Sequence, residues 1–220
     1  MHSSERKNNF ISAGLIWSGT FLILLSLILL VLNFAPLLSL ELKYHNLVPP
    51  TSEQTDNVAI NEFSKLLQDT DNSELYDFMM FIPAIDAKSL VVKDVDATSQ
   101  PAYSAALNFG IAHALGTAYP GDNGNTFLFA HSGRNFYEST HQNVQFYLLD
   151  KLAINDLVYL KYADRIYKYE VINTVKVWPN DTEYLTNQEY DYSKLTLMSC
   201  WPAGVNYKRQ IVEAKLVSVY

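Results

Sequence analysis

A single cysteine, Cys200, stands in the 220 residues. An intramolecular disulfide is thereby excluded, and Cys200 is left as an inert buried thiol, half of an intermolecular bridge, or a reactive group. Glycine is scarce, with eight residues, and none of them forms a glycine-rich phosphate loop. Internal repeats are absent, as is any His, Cys or carboxylate cluster at metal-ligand spacing. Basic residues are few, 16 against 23 acidic for a net charge of −7. That balance argues against nucleic acid as a partner, because Lys and Arg must neutralise its phosphates. What the chain does have is core material: it is 49% hydrophobic with 15 Tyr, 11 Phe and 3 Trp, which is the composition of a folded protein rather than a disordered one.

Charge is missing altogether from Asn8 to Leu40. Within that stretch "FLILLSLILLVLNF" (21–34) is the centre of an apolar run that, counted from near Phe10, reaches the roughly 20 residues a helix needs to cross a bilayer. A cleaved signal peptide has a shorter apolar region, about 7 to 15 residues, and a small-residue cleavage site. The sequence therefore predicts a short cytoplasmic N-terminus (1–10), a transmembrane signal-anchor helix (11–34) in contact with membrane lipid, and a remainder outside the cell. Arg6 and Lys7 before the span, against Lys43 after it, set this orientation. Beyond the first ten residues 22 acidic and 14 basic side chains remain, an acidic exterior that fits solubility.

Residues 35–76 read as a stalk. "NLVPPTSEQTDN" is polar and carries two prolines, and "DTDNSELYD" is acidic. The acidic run lacks the Gly and closing Glu of a calcium loop and reads as solvated surface. Between the two, "VAINEFSKLLQ" places Ile60, Phe63 and Leu67 on one helical face, with Asp56 or Asn57 as N-cap.

From residue 77 to 220 the texture is that of a β protein. "SLVVKDV", "TFLFAHS", "DLVYLKY", "IYKYEVINTVKVW", "KLTLMSC" and "QIVEAKLVSVY" are short runs rich in β-branched and aromatic residues. Turn chemistry separates them at "YPGDNGN" (119–125), "YAD" (162–164) and "PAGVN" (202–206). Six to eight strands in one domain predict a closed or nearly closed barrel. "PAYSAALNFGIAHALG" is the main helical interruption.

On such a barrel "KLTLMSC" alternates, with Leu195, Leu197 and Ser199 on one face and Thr196, Met198 and Cys200 on the other, until Trp201-Pro202 stops the pairing. Cys200 falls at a strand end. Arg209 opens the next strand and returns beside the thiol if the two strands form a hairpin. A guanidinium there favours thiolate and can donate hydrogen bonds to an oxyanion. Thiol acyl transfer also needs a proton shuttle. His131 ends the strand "TFLFA" and leads into a loop, from which an imidazole can lean over a barrel mouth. That position favours His131 while leaving open His113, in the helical segment, and His141, in the loop "YESTHQN".

"TLMSCWPAGVNYKRQIVEAKL" resembles the signature TLxTC, followed by a downstream Arg and an apolar strand, of the sortases, the membrane-anchored cysteine transpeptidases of the bacterial surface. Ser199 replaces the usual Thr. "GTAYPGDNGNTFLFAHSGRNFY" is similar to the segment that carries the family's histidine, with Ala130 in place of the usual Gly. "FYLLDKLAINDLVYLKY" matches the stretch after it. The likeness runs collinearly from Phe81 to Tyr220. "CWPAGVN" with its Arg is most similar to the pilus-assembling class C, although no Asp-Pro-aromatic lid motif precedes the barrel, and His113 followed by "GT" is more like class D.

This resemblance implies a mainly β fold: a sortase-type closed barrel of seven to eight strands with short helices, behind one N-terminal transmembrane helix. It implies Cys200 as nucleophile, His131 as general acid/base and Arg209 as the group that stabilises oxyanion and substrate. It further implies an LPxTG-like sorting peptide of a secreted protein as substrate and an amine acceptor, from a cell-wall precursor or a pilin lysine. No cofactor is expected, with calcium activation left open. Two other functions compete: a membrane-anchored cysteine peptidase that releases surface proteins, and a non-catalytic tethered barrel that binds peptides with Cys200 in its core.

Overall fold

In the computed structural model, residues 16–32, 35, 41, 42, 44, 52–68, 77–133, 146–185, 190–203 and 205–220 are described. The chain divides into two units, Met1–Lys43 and Tyr44–Tyr220. In the first, residues 16–32 are helical (α1). Among the described residues no helix is long and apolar enough to cross a membrane. At about 1.5 Å per residue, α1 as described reaches roughly 25 Å against a hydrocarbon core of about 30 Å. The expected span, 11–34, starts and ends outside the described residues, and so do His141 and the acidic run 69–76.

The second unit opens with a helix, α2 (Ser52–Gln68). Eight strands follow: β1 (Phe78–Ile82), β2 (Ala87–Val95), β3 (Ile111–Ala114), β4 (Gly124–Phe129), β5 (Leu157–Tyr162), β6 (Arg165–Val177), β7 (Ser193–Trp201) and β8 (Lys208–Val219), with a short helix α3 (Gln100–Leu107) between β2 and β3. The strands close into a barrel in the order β1-β2-β3-β4-β7-β8-β6-β5. Two neighbour pairs are parallel, β2 with β3 and β4 with β7. A parallel pair needs a crossover rather than a hairpin, and α3 supplies one for β2–β3. The crossover is tight: a Cβ on Gly110 would lie 2.4 Å from the Leu90 carbonyl oxygen, so only glycine fits. Tyr162 pairs with Arg165 across a two-residue turn whose Ala163 has φ 49°, as expected for "YAD".

Inside the barrel, Met80, Ile82, Leu128, Leu160, Leu195, Leu197 and Val212 are sealed from solvent. Each removes roughly 1.5 to 3 kcal/mol worth of apolar side chain from water. All six strands read from the sequence are present. The two that were not predicted are β1 and β3. "FMMFI" is buried on both faces and therefore lacks the alternation by which a half-buried strand is recognised. "IAHA" is short and alanine-rich, so it reads as a continuation of the helix before it, but the chain turns at Gly110 and His113 lies in a strand instead.

The helix α2 also departs from the expected face. It begins four residues before Asp56, which is therefore inside the helix and not its cap. Its buried face is Thr55, Ala59 and Phe63, a set spaced by four, whereas Ile60 is half-buried and the side chain of Leu67 lies outside the described residues. Asp56 determines this rotation. Its carboxylate accepts from Tyr159 Oη at 2.6 Å and Tyr220 Oη at 3.2 Å and pairs with Lys168 Nζ at 2.7 Å. Burial opposes the charge, but the bonds from Lys168 and Tyr159 outweigh it and hold the Asp56 carboxyl below its ordinary range. Beside it Phe63 meets Phe81 edge-on at 6.1 Å, so the helix is held by apolar contact and a charged hydrogen-bonded group together.

His113 is fully buried. The Thr117 hydroxyl donates to the Ala114 carbonyl, so His113 Nε2, 3.0 Å from Thr117 Oγ1 and 3.2 Å from the Ala118 carbonyl, is left to donate. Burial depresses its pKa against the opposing pull of Ala118 and Asp94. The unfolded chain then binds the extra proton first, so His113 contributes stability above about pH 6.5 that is lost as pH falls from there toward the depressed folded value. Melting temperatures measured from pH 8 to pH 5 should fall less steeply for His113→Gln than for the unaltered chain; equal slopes would show that His113 does not titrate on unfolding.

Candidate active site

Strand pairing brings two predicted residues to one level and leads the chain to a third beside them. β7 and β8 are antiparallel with Cys200 opposite Arg209, and directly opposed residues project from the same face. β4 and β7 are parallel, with Gly124 opposite Ser193 through Phe129 opposite Met198. Past the end of β4 the Ala130 N–H still bonds the Met198 carbonyl at 3.1 Å, which leads the chain to His131 at the Cys200 end of β7. Cys200 and Arg209 are thus neighbours across the β7–β8 ladder, and His131 follows β4 on the other side of β7. All three line one cavity of about 460 Å³.

Residues alternating with the barrel core build its floor: Phe127, Phe129, Met198 and Ile211. These face outward between inward-facing Leu128, Leu197 and Val212, the period-2 rule applied to three strands at once. Tyr103 and Leu107 of α3 form one wall; Tyr184 and Leu185, from the connection between β6 and β7, form another. Asn125 fixes this second wall. Its Nδ2 donates to the Tyr184 carbonyl at 2.9 Å while its Oδ1 accepts from Thr196 Oγ1 at 2.7 Å. Nothing in the sequence singled out Asn125 except its place on the groove face of β4, two residues before Phe127.

Burial dominates the environment of the thiol and pushes the Cys200 pKa up, with the Arg209 charge pulling it partly back. Trp201, on the opposite face of β7, is anchored by its indole N–H to Asp150 at 3.3 Å and by Lys176 over its ring at 4.3 Å. The end of β7 is thus held from behind while the sulfur faces the cavity. One further group meets both partners. Asn206, in the turn between β7 and β8, accepts from Cys200 Sγ at 3.7 Å and from Arg209 Nη1 at 2.5 Å. Sequence reasoning missed it; its signal was its place in "PAGVN", between the thiol and the guanidinium.

The other histidines do not join this group. His113 is absent from the cavity lining and is occupied with Thr117, Ala118 and Asp94, and His141 lies outside the described residues. Among the described residues no group of three or more His, Cys, Asp or Glu side chains could hold a metal ion. A half-buried thiol, an imidazole and a guanidinium at one end of an apolar groove can together attack a carbonyl, move a proton and stabilise an oxyanion.

Alkylation of Cys200 by iodoacetamide, followed against pH, should show a midpoint above that of free cysteine, because burial favours the thiol. Arg209→Gln should move the midpoint higher still. A midpoint that falls on losing the guanidinium would contradict the electrostatic role assigned to Arg209.

The sortase domain family matches residues 80–217. Sortase A of Corynebacterium diphtheriae, in a lid mutant, superposes with a TM-score of 0.53 at 29% identity over 64% of this chain and 69% of that one. A sortase D5 transpeptidase of Clostridium perfringens gives 0.52 at 27% identity over 72% of this chain and 88% of its own. Sortase C-3 of Streptococcus pneumoniae gives 0.54 at 25% identity, covering 66% and 64%. Among curated proteins none matches.

Proposed function

The chain belongs to the sortase family, and on that premise we propose that it is a membrane-anchored cysteine transpeptidase that cleaves an LPxTG-like sorting signal and passes the acyl group to an amine. The observation that carries this reading is the convergence of Cys200, His131 and Arg209 on one groove from three adjacent strand ends. The apolar floor of Phe127, Phe129 and Ile211 suits the leucine and proline side chains of such a peptide lying extended across β4, β7 and β8.

In the reaction, Cys200 Sγ attacks the carbonyl carbon before the scissile bond, and its proton passes to His131. Arg209 donates hydrogen bonds to the oxygen as it becomes anionic. His131 then returns the proton to the leaving amine, the C–N bond breaks, and a thioacyl enzyme remains. An incoming amine, from a cell-wall precursor or a pilin lysine, attacks the thioester and gives up a proton to His131. The new amide leaves and the thiol is restored. Because burial favours the neutral thiol, proton transfer and attack have to be coupled at the moment the substrate excludes water. These side chains suffice for the steps, and no cofactor enters them.

The membrane anchor is part of the same reading. It is supported by the absence of charge from Asn8 to Leu40 and by α1 itself, where consecutive side chains from Phe21 to Leu25 are all exposed. A helix apolar around its whole circumference suits lipid and not water. With Arg6 and Lys7 on its short side, the span would keep the N-terminus in the cytoplasm and the barrel outside. A reporter enzyme active only in the cytoplasm, fused after Tyr220, should be silent; activity there would reverse the orientation.

For the chemistry, Cys200→Ala should abolish turnover of an LPxTG peptide and retain its binding, since strands and loops build the groove. Arg209→Lys keeps the charge but loses the planar fork and should slow turnover by about 10² to 10³-fold, the scale of one oxyanion donor. His131→Gln should be at least as damaging. Melting curves identify any variant that has lost the fold. Near-normal turnover by folded Cys200→Ala would end the transpeptidase reading.

A further inference from the structure

Two donors in the groove are already engaged, and by the same atom. Asn206 Oδ1 lies 3.7 Å from Cys200 Sγ and 2.5 Å from Arg209 Nη1. Nη1 carries two N–H bonds. One goes to Asn206 and the other to the Lys208 carbonyl at 3.1 Å. A substrate carbonyl has to offer its carbon to this sulfur and its oxygen to this guanidinium, so the Asn206 oxygen occupies space and a donor that the substrate needs.

We propose that Asn206 plugs the resting site: its side-chain carbonyl takes the position of the scissile carbonyl oxygen of a substrate peptide and leaves when that peptide enters. The inference rests on Cys200 and Arg209 acting as proposed above. Chemistry separates a plug from a positioning group. Toward Cys200 the oxygen can only accept, so the contact requires the S–H proton and disappears with the thiolate. Asn206 therefore favours the unreactive form of the sulfur while occupying the Arg209 donor that would favour the reactive one. Burial acts on the thiol in the same direction. Departure is easy in structural terms, because Asn206 is exposed and lies in the turn following Pro202, outside the ladder. A rotation of its side chain moves the amide into water, where its hydrogen bonds are replaced.

The consequence is a cysteine protected from alkylation and oxidation until a peptide displaces the amide. Removing the plug should make the sulfur more reactive, while strengthening it should do the reverse. The test follows the rate of Cys200 alkylation by iodoacetamide against pH in the folded chain, with melting curves alongside. Asn206→Ala should lower the midpoint by about half a pH unit and raise the rate at pH 7 about threefold. Asn206→Asp, close in shape but with a carboxylate facing the sulfur and paired to Arg209, should raise the midpoint and slow the rate. Opposite signs in the two variants are the expected result, and a structural role would not produce them. A midpoint unmoved or raised in Asn206→Ala overturns the proposal. In a second arm, the KM for an LPxTG peptide should fall in Asn206→Ala with kcat preserved; a drop in kcat at unchanged KM would make Asn206 a positioning residue for Arg209 and sink the plug. Failure of the transpeptidase reading appears separately, as turnover by Cys200→Ala, and leaves the alkylation result to judge Asn206 on its own.

Discussion

The parallel pairing of β4 with β7 is the constraint on which the site depends. Hairpins connect strands that follow one another, so local turn chemistry is enough to bring Arg209 opposite Cys200. No local rule brings Gly124–Phe129 beside Ser193–Trp201, which are some 70 residues apart in the chain. That pairing requires the barrel to close, and closure requires β5 and β6 to fold back along the other side toward β1. In a parallel pair the offset is constant along the ladder, so a slip of two residues would carry His131 about 7 Å along β7 from the sulfur, and a slip of one would turn it to the other face. The inward set Leu128, Leu195 and Leu197, fully buried, opposes a slip of one, which would send these side chains to the groove face. Core packing thus sets the register of the candidate residues.

Around this pairing, the groove is finished by polar groups that the core does not need. Asn125 ties the β6–β7 connection to Thr196 and Tyr184, so one wall is pinned to the floor through a single amide. Trp201 is clasped by Asp150 and Lys176 on the opposite face. The sulfur is therefore presented on a strand end held on both sides, the kind of rigid support that attack at a defined angle requires.

The electrostatics of the site oppose premature activation. Burial raises the thiol pKa and Arg209 lowers it, with burial the larger effect. The result is a resting thiol rather than a thiolate, so loss of the proton from the sulfur has to accompany any attack it makes. Away from the groove, α2 closes the β1–β5–β6 side of the barrel through Phe63 and the Asp56 group. That contact ties the segment ahead of the barrel to a face that carries none of the candidate residues.

The sequence by itself determined the class of fold and the family. Alternation in "KLTLMSC" and "DLVYLKY" marks half-buried strands, the single Cys200 and the returning Arg209 mark a thiol with a cation, and the order of the histidine and cysteine segments marks the family. These are local or ordinal properties, written in spacing. Tertiary structure alone decided the remainder. "FMMFI" and "IAHA" became strands because their neighbours cover both faces, and burial on both faces erases the period by which a strand is read. α2 rotated to Thr55, Ala59 and Phe63 because Asp56 found Tyr159, Lys168 and Tyr220, partners about 100 or more residues downstream. Asn125 and Asn206 carry no signature, since an amide in a strand or a turn is ordinary until closure of the barrel shows which atoms it meets. Groups whose role depends on partners distant in the chain become visible only when the long-range pairing is known, because the physical information lies in the register and not in the residue.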